Sequence, residues 1–225
     1  PLLALIVAAT PALADVRLPA VISSGMVLQQ SSKVPLWGWA TPGEEVRVTV
    51  PWLGAPVETS ADKGGRWSVT LDTPAAKDTP AAFTITIEGK NTLSLNDVLL
   101  GEVWLASGQS NMEWPLSASD GASEAIAGAN HPQIRLFNVR NEVAARPKGD
   151  CTSEAGWTPC TPQSVAGFSA VAYSFARDLH AALGVPVGVI EADWGGTPVQ
   201  AWTSAAGLAK FPEFADALAY MDALD

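Results

Sequence analysis

Positive charge, histidine and cysteine are all scarce in this chain. Its 225 residues include 13 Lys and Arg against 23 Asp and Glu, two His and two Cys, with a formal net charge of −10. So few cations leave no basic stripe to meet phosphates, which excludes a nucleic-acid partner. The two Cys and two distant His have no metal-ligand spacing, so no metal site is expected. Cys-x-x-Cys is absent, which argues against dithiol redox chemistry. No apolar run is long enough to span a bilayer. What the chain does have is apolar content of 48%, nine Trp and only 16% charged residues. That composition belongs to a globular chain of one or two domains. The acidic balance bears on solubility and on little else.

The front of the chain reads as a processing segment. Pro1-Leu-Leu-Ala-Leu-Ile-Val-Ala-Ala9 is a short apolar core, and Ala12-Leu-Ala14 is a small-x-small cleavage site. Residues 1–14 are therefore expected to be the remnant of a signal peptide, with Asp15 the first mature residue. The segment lacks a starting Met and a basic n-region, so more of it is expected before Pro1. Export to a periplasm or the exterior follows, with no membrane partner once the signal is removed. In an oxidising compartment Cys151 and Cys160, nine positions apart in the sequence, are expected to form a disulfide.

Residues 15–97 read as a small all-β domain. Val46, Val48 and Val50 alternate with polar neighbours, as do Trp67, Val69 and Leu71, and then Phe83, Ile85 and Ile87. Period two with one polar face predicts antiparallel strands packed on one side. Thr41-Pro-Gly43, Asp62-Lys-Gly-Gly65 and Gly89-Lys-Asn91 supply the turns. Short strands at this spacing suggest a β-sandwich. Trp37, Trp39 and Trp52 fit half-buried strand aromatics better than a sugar-stacking platform.

From about Asn96 the texture changes. Val103-Trp-Leu-Ala106 and Val187-Gly-Val-Ile190 are nearly continuous apolar runs, as in parallel strands buried on both faces. Ile134–Val139 offers another strand. Phe168, Ala172, Phe175, Ala176, Leu179 and Leu183 form one helical stripe, which Gly184 stops. Glu213–Asp225 reads as a further amphipathic helix, with Phe214, Ala217, Leu218 and Met221 on one face. Strand–helix–strand alternation over 98–225 predicts part of a three-layer α/β/α domain, in which ligands gather at the carboxyl ends of the strands.

At one such end, Leu99-Leu-Gly-Glu-Val-Trp-Leu-Ala106 runs into Ser107-Gly-Gln-Ser-Asn-Met112. Ser107 and Gly108 permit a sharp turn, and Ser110 and Asn111 suit the start of a helix. A hydroxyl there is exposed beside backbone N–H groups, as a nucleophile that creates an oxyanion requires. The same residues also suit an ordinary serine-capped helix start. Met112 stands where Gly-x-Ser-x-Gly would place its second glycine, so the α/β-hydrolase elbow is disfavoured.

Gly108-Gln-Ser-Asn-Met112 followed by Trp114 resembles the sialate O-acetylesterase family, a branch of the SGNH esterases. Val185–Trp202, with its Trp194-Gly-Gly-Thr197 loop, is similar to a second block of that family, and Cys160-Thr-Pro and Gly167–Tyr173 lie between the two. The resemblance covers most of residues 15–210. It implies a flavodoxin-like SGNH domain after the β domain, and a serine esterase that removes O-acetyl groups from carbohydrates without a cofactor. Ser110 would be the nucleophile and its N–H one oxyanion donor. Gly195 or Gly196 would supply another, with Gln109 beside them. Trp114, Trp194 and Trp202 flank the two blocks and suit either packing or sugar contact.

The resemblance also implies a base histidine in an Asp-x-x-His pattern and an oxyanion asparagine in a Gly-Glu-x-Asn block. Neither occurs here. His131 is expected at the amino end of a strand and His180 on a solvated helix face, both poor places for the base. The hydrolase domain is therefore expected to be incomplete at its carboxyl end, with the triad's His and Asp beyond Asp225. A xylan or other polysaccharide deacetylase of the same fold, and a non-catalytic carbohydrate-binding surface protein, are the competing readings.

Overall fold

Alternation along the front strands dictates which side of each is buried. In a computed structural model that describes residues 15–78 and 82–224, the strands are β1 (Val27–Gln29), β2 (Lys33–Trp39), β3 (Glu45–Thr49), β4 (Val57–Ser60), β5 (Arg66–Asp72) and β6 (Phe83–Glu88). They continue with β7 (Thr92–Gly108), β8 (His131–Asn138), β9 (Thr158–Cys160) and β10 (Val187–Asp193). Val46 and Val48 of β3, Trp67, Val69 and Leu71 of β5, and Phe83, Ile85 and Ile87 of β6 all turn inward, as their period predicts. Together with Leu36 of β2 they share one hydrophobic core. Trp37, Trp39 and Trp52 are half-buried against that core or its rim.

The architecture is a mixed sheet with helices. Its order is β4-β3-β6-β7-β10-β8-β9, with β1 also on β7, while β2 and β5 form a separate antiparallel pair. The 17-residue β7 joins the two halves. Its first part runs antiparallel to β6, its middle parallel to β1 (Leu99 opposite Val27), and its last part parallel to β10. The antiparallel strands are thus continuous with the parallel ones through a single strand. At the junction Asp97 takes a positive φ of 57°. Its carboxylate receives Arg135 of β8 in a fork, Nη1 to Oδ2 at 2.7 Å and Nη2 to Oδ1 at 3.0 Å. Arg135 is buried and also donates to Gly25 O and Pro132 O.

The helices are α1 (Ser110–Glu113), α2 (Ala122–Ala127), α3 (Pro162–Val165), α4 (Ala170–Leu183), α5 (Ala205–Leu208) and α6 (Ala215–Asp222). α4 packs on β8 and β10 through Ala172, Tyr173 and Ala176. Ser169 caps its start, and Gly184 ends it in the left-handed conformation. The buried stripe is displaced from the one predicted. Tyr173 is inside, whereas Phe175 and Leu183 are exposed. Phe175 meets Trp104 edge-on beyond the rim of the sheet, with ring centres 5.0 Å apart. In α6, Leu218 and Met221 are half-covered, as is Phe214 just before it, while Ala217 is exposed.

The expected Cys151–Cys160 disulfide is not formed: both thiols are free. Cys160 is buried in the cluster under α4, whereas Cys151 packs against the other core. The two side chains face different interiors. Burial pushes the Cys160 thiol up to about 11. The signal-peptide reading falls on residues 1–14, outside the described residues. No helix among the described residues is long and apolar enough to cross a membrane.

Candidate active site

β7 delivers Ser110 to the surface at its carboxyl end. Gly108 closes the strand, Gln109 is the N-cap of α1, and Ser110 is the first helical residue. The cap is therefore Gln109 and not Ser110. The Gln109 side-chain oxygen accepts the Ser110 N–H at 3.2 Å, and the Ser110 hydroxyl donates to the same oxygen at 2.8 Å. Ser110 is exposed. Because α1 is a single turn, its aligned dipole is weak, and individual N–H groups carry the attraction for negative charge.

The second loop arrives beside the first because of strand register. Asp193 of β10 pairs with Gly108 of β7, and Trp194 N–H donates to Gly108 O at 3.1 Å. The Trp194–Thr197 turn then crosses over α1. Its two glycines serve different physical needs. At Gly195 a Cβ would displace the flexible end of the Glu113 side chain and lie 3.4 Å from Ser110 Oγ, so the glycine makes room for the carboxylate. Gly196 has open space around it and a φ of 78°, so it demands the left-handed backbone. Their N–H groups also diverge. Gly195 donates to Glu113 Oε2 at 2.7 Å, whereas Gly196 donates to Gln109 Oε1 at 3.4 Å. Gln109 Oε1 therefore collects three donors: the Ser110 N–H, the Ser110 hydroxyl and the Gly196 N–H.

Behind this surface lies a buried acidic pair. Glu191 of β10 accepts Ser169 N–H at 3.2 Å and the Asn138 side-chain amide at 3.0 Å, tying α4 and β8 to β10. Burial, and then the charge of Asp193, push its carboxyl up to about 8, so it holds a proton at neutral pH. Asp193 is also raised, by burial and then by Glu113. Asp193 Oδ2 is buried without a hydrogen-bond partner among the described residues, and the Asp193 and Glu191 carboxyls act directly on each other. A cleft of about 560 Å³ opens here, with Glu113, Asn138, Asn141, Glu191 and Asp193 among its walls.

Sialate O-acetylesterases from Pongo abelii and Homo sapiens are 32% identical to the chain over 207 residues, 85% of this chain and 39% of theirs. The Mus musculus enzyme is 32% identical over 203 residues, 84% of this chain and 37% of its own. The chain is similar to sialate O-acetylesterases over most of its own length. It spans about two fifths of the length of these curated relatives. Among solved structures, a carbohydrate acetylesterase from Xanthomonas citri is 36% identical with a TM-score of 0.78, over 87% of this chain and 44% of that one. No protein-family profile matches the chain.

In this chain the two histidines lie far from Ser110. His131 opens β8, and His180 Nδ1 sits 2.7 Å from Val185 O, just before β10. Because β7, β8 and β10 run parallel, both histidines stand at the amino ends of the strands and Ser110 at the carboxyl end. Trp114 and Trp202 are exposed, and each is anchored by its indole N–H, to Ala118 O at 3.2 Å and to Thr197 Oγ1 at 2.7 Å. Trp194 is half-buried. Sequence reasoning overlooked Glu113, Glu191 and Asp193. Glu191 was detectable as a charge inside an apolar strand, and Glu113 as an acid one turn after the serine. Nothing in the sequence signalled that Glu113 would reach Gly195.

Proposed function

We propose that this chain is the nucleophile-bearing part of an exported serine esterase that removes O-acetyl groups from carbohydrates. The observation that carries this reading is the meeting of Ser110 N–H and Gly196 N–H on one oxygen, itself 2.8 Å from Ser110 Oγ. Two backbone donors aimed at a point beside a nucleophile are what a tetrahedral oxyanion needs. Gln109 Oε1 holds that point in the free protein and gives way to the acetyl oxygen of substrate. Ser110 Oγ attacks the acetyl carbon, its proton passes to a histidine beyond Asp225, and the carbonyl electrons move onto the oxygen. Collapse breaks the bond to the sugar oxygen, which takes the proton. Water, deprotonated by the same base, then releases acetate and restores Ser110. No cofactor enters this sequence. Trp114, Trp194 and Trp202 are candidates to contact the sugar.

The test is acetate release from O-acetylated sialic acid, xylan and bacterial polysaccharide by the full-length protein. Ser110→Ala is expected to lower the rate by at least about 10³-fold. Intact release in that variant overturns the reading, and the best substrate separates a sialate esterase from a polysaccharide deacetylase. The 225-residue chain alone is expected to show little activity. Robust release that vanishes in Ser110→Ala would place the base inside it.

A non-catalytic carbohydrate-binding protein is the alternative. The position of both histidines at the opposite end of the sheet favours it. Sugar binding without acetate release by the full-length protein would establish it. We also infer a β-sandwich over 15–97 followed by the first part of a three-layer SGNH domain over 98–225. The two facing groups of front strands and the parallel β7-β10-β8 core support that division. The export reading is supported by the apolar segment and Ala12-Leu-Ala14, and amino-terminal sequencing of the secreted protein tests it, with Asp15 expected first.

A further inference from the structure

We propose that Glu113 is a positioning residue: its carboxylate holds the Gly195–Gly196 turn in the orientation that aims Gly196 N–H at the point facing Ser110. This rests on the serine-esterase reading above. Glu113 is the last residue of α1, one helical turn after Ser110, so nucleophile and carboxylate are carried by the same rigid turn. Oε2 takes Gly195 N–H at 2.7 Å, a short charge-assisted bond. Oε1 is approached by Asn141 Nδ2 at 3.5 Å. The neighbouring peptide unit is thereby fixed on both sides, with Gly195 N–H on Glu113 and Gly196 N–H on Gln109 Oε1.

Glu113 is exposed, so solvent screens its charge and its partners define its place. Its charge pushes up the carboxyl of Asp193. Its two carboxylate oxygens meet the Gly195 N–H and the Asn141 amide. A Cβ at Gly195 would occupy the place the Glu113 carboxylate now takes, and the carboxylate would have to move off the Gly195 N–H. The Gly-Gly pair is thus read as one glycine that admits the carboxylate and one that turns the donor. Gln109 and Ser110 set the near wall of the oxyanion point, and Glu113 sets the far wall.

Two measurements on Glu113→Ala and Glu113→Gln test this. In amide NMR of the 225-residue chain, Gly195 N–H is expected downfield and slow to exchange. Ala should shift both Gly195 and Gly196 and speed exchange at least about 10-fold, while Gln, which keeps an acceptor oxygen, should stay near wild type. In the full-length protein, Ala should slow acylation by p-nitrophenyl acetate by about 10- to 100-fold with little change in KM, and Gln should recover most of that. Unmoved glycine amides in Glu113→Ala overturn the proposal, as does unchanged acylation in a protein whose Ser110→Ala variant is inactive. Equal losses in Ala and Gln overturn it too, since they would assign the effect to charge and not to positioning. If Ser110→Ala keeps full activity, the esterase reading fails by itself, and the amide spectra still decide whether Glu113 sets the turn.

Discussion

Glu191 sets the clearest expectation at the scale of a single residue. Its carboxyl, ordinarily near 4.5, is pushed up to about 8 by burial and by Asp193. Between those values the folded chain keeps a proton that the unfolded chain gives up. Stability from this group is therefore fully present below about pH 4.5 and declines as pH rises toward about 8. Asp193, raised in the same direction, adds to the slope. Asp97 is lowered by its hydrogen bond from Arg135, so it is ionised in both states across this window and adds none. Urea unfolding at pH 5.5 and pH 8 should show wild type losing stability, on the order of a few kcal/mol, less the opposite contribution of His131, which burial lowers from 6.5. Glu191→Gln should show a much flatter response. Gly196 gives a second expectation. Alanine there meets no atom but must adopt a φ of 78°, so it should cost about 1–2 kcal/mol in thermal or urea unfolding. A Gly196→Ala variant as stable as wild type would mean that the turn relaxes.

Among the elements, β7 carries most of the organisation, and Asp97 is its weak point. Asp97→Ala leaves the buried Arg135 guanidinium with carbonyl partners only. Urea denaturation should register a loss of about 1–3 kcal/mol, with the glycine amides of the Trp194–Thr197 turn unmoved. Much of this level was legible in the sequence. Period-two alternation located β3, β5 and β6, apolar runs located the ends of β7 and β10, and Gly184 located the end of α4. These signals are local, since each follows from which neighbours along the chain are apolar. The failures came from long-range contact. Tyr173 displaced Phe175 from the buried stripe because Phe175 extends past the sheet's rim to Trp104. Cys151 and Cys160 are close in sequence but were drawn into separate cores. At the candidate site the residues on the two loops were legible as Ser110, Gln109, Gly195 and Gly196. The assignment of one glycine to Glu113 and the other to Gln109 required knowing that Asp193 pairs with Gly108.

Taken whole, the molecule has a full side and an open side. After β1 ends opposite Gly101, residues 102–108 of β7 pair with β10 alone among the described residues. Trp104, Leu105, Val171 and Phe175 are all exposed around that edge. Parallel strands are ordinarily covered on both faces, and an exposed apolar edge invites association with another chain. The 225-residue chain should therefore self-associate in sedimentation experiments, and Leu105→Lys should shift it toward monomer. An unchanged distribution would show that the edge is not the sticky surface. The length of β7 also has a temporal consequence. Its first half closes with β6 across a three-residue turn, while its last half must wait for β10, about eighty positions further on. On a ribosome the serine turn thus emerges and is anchored well before the glycine turn exists. The serine turn therefore waits for β10, and Gly196 N–H can meet Gln109 only after β10 has paired with β7. A protein assembled in that order gains its second backbone donor only after the sheet behind it has paired.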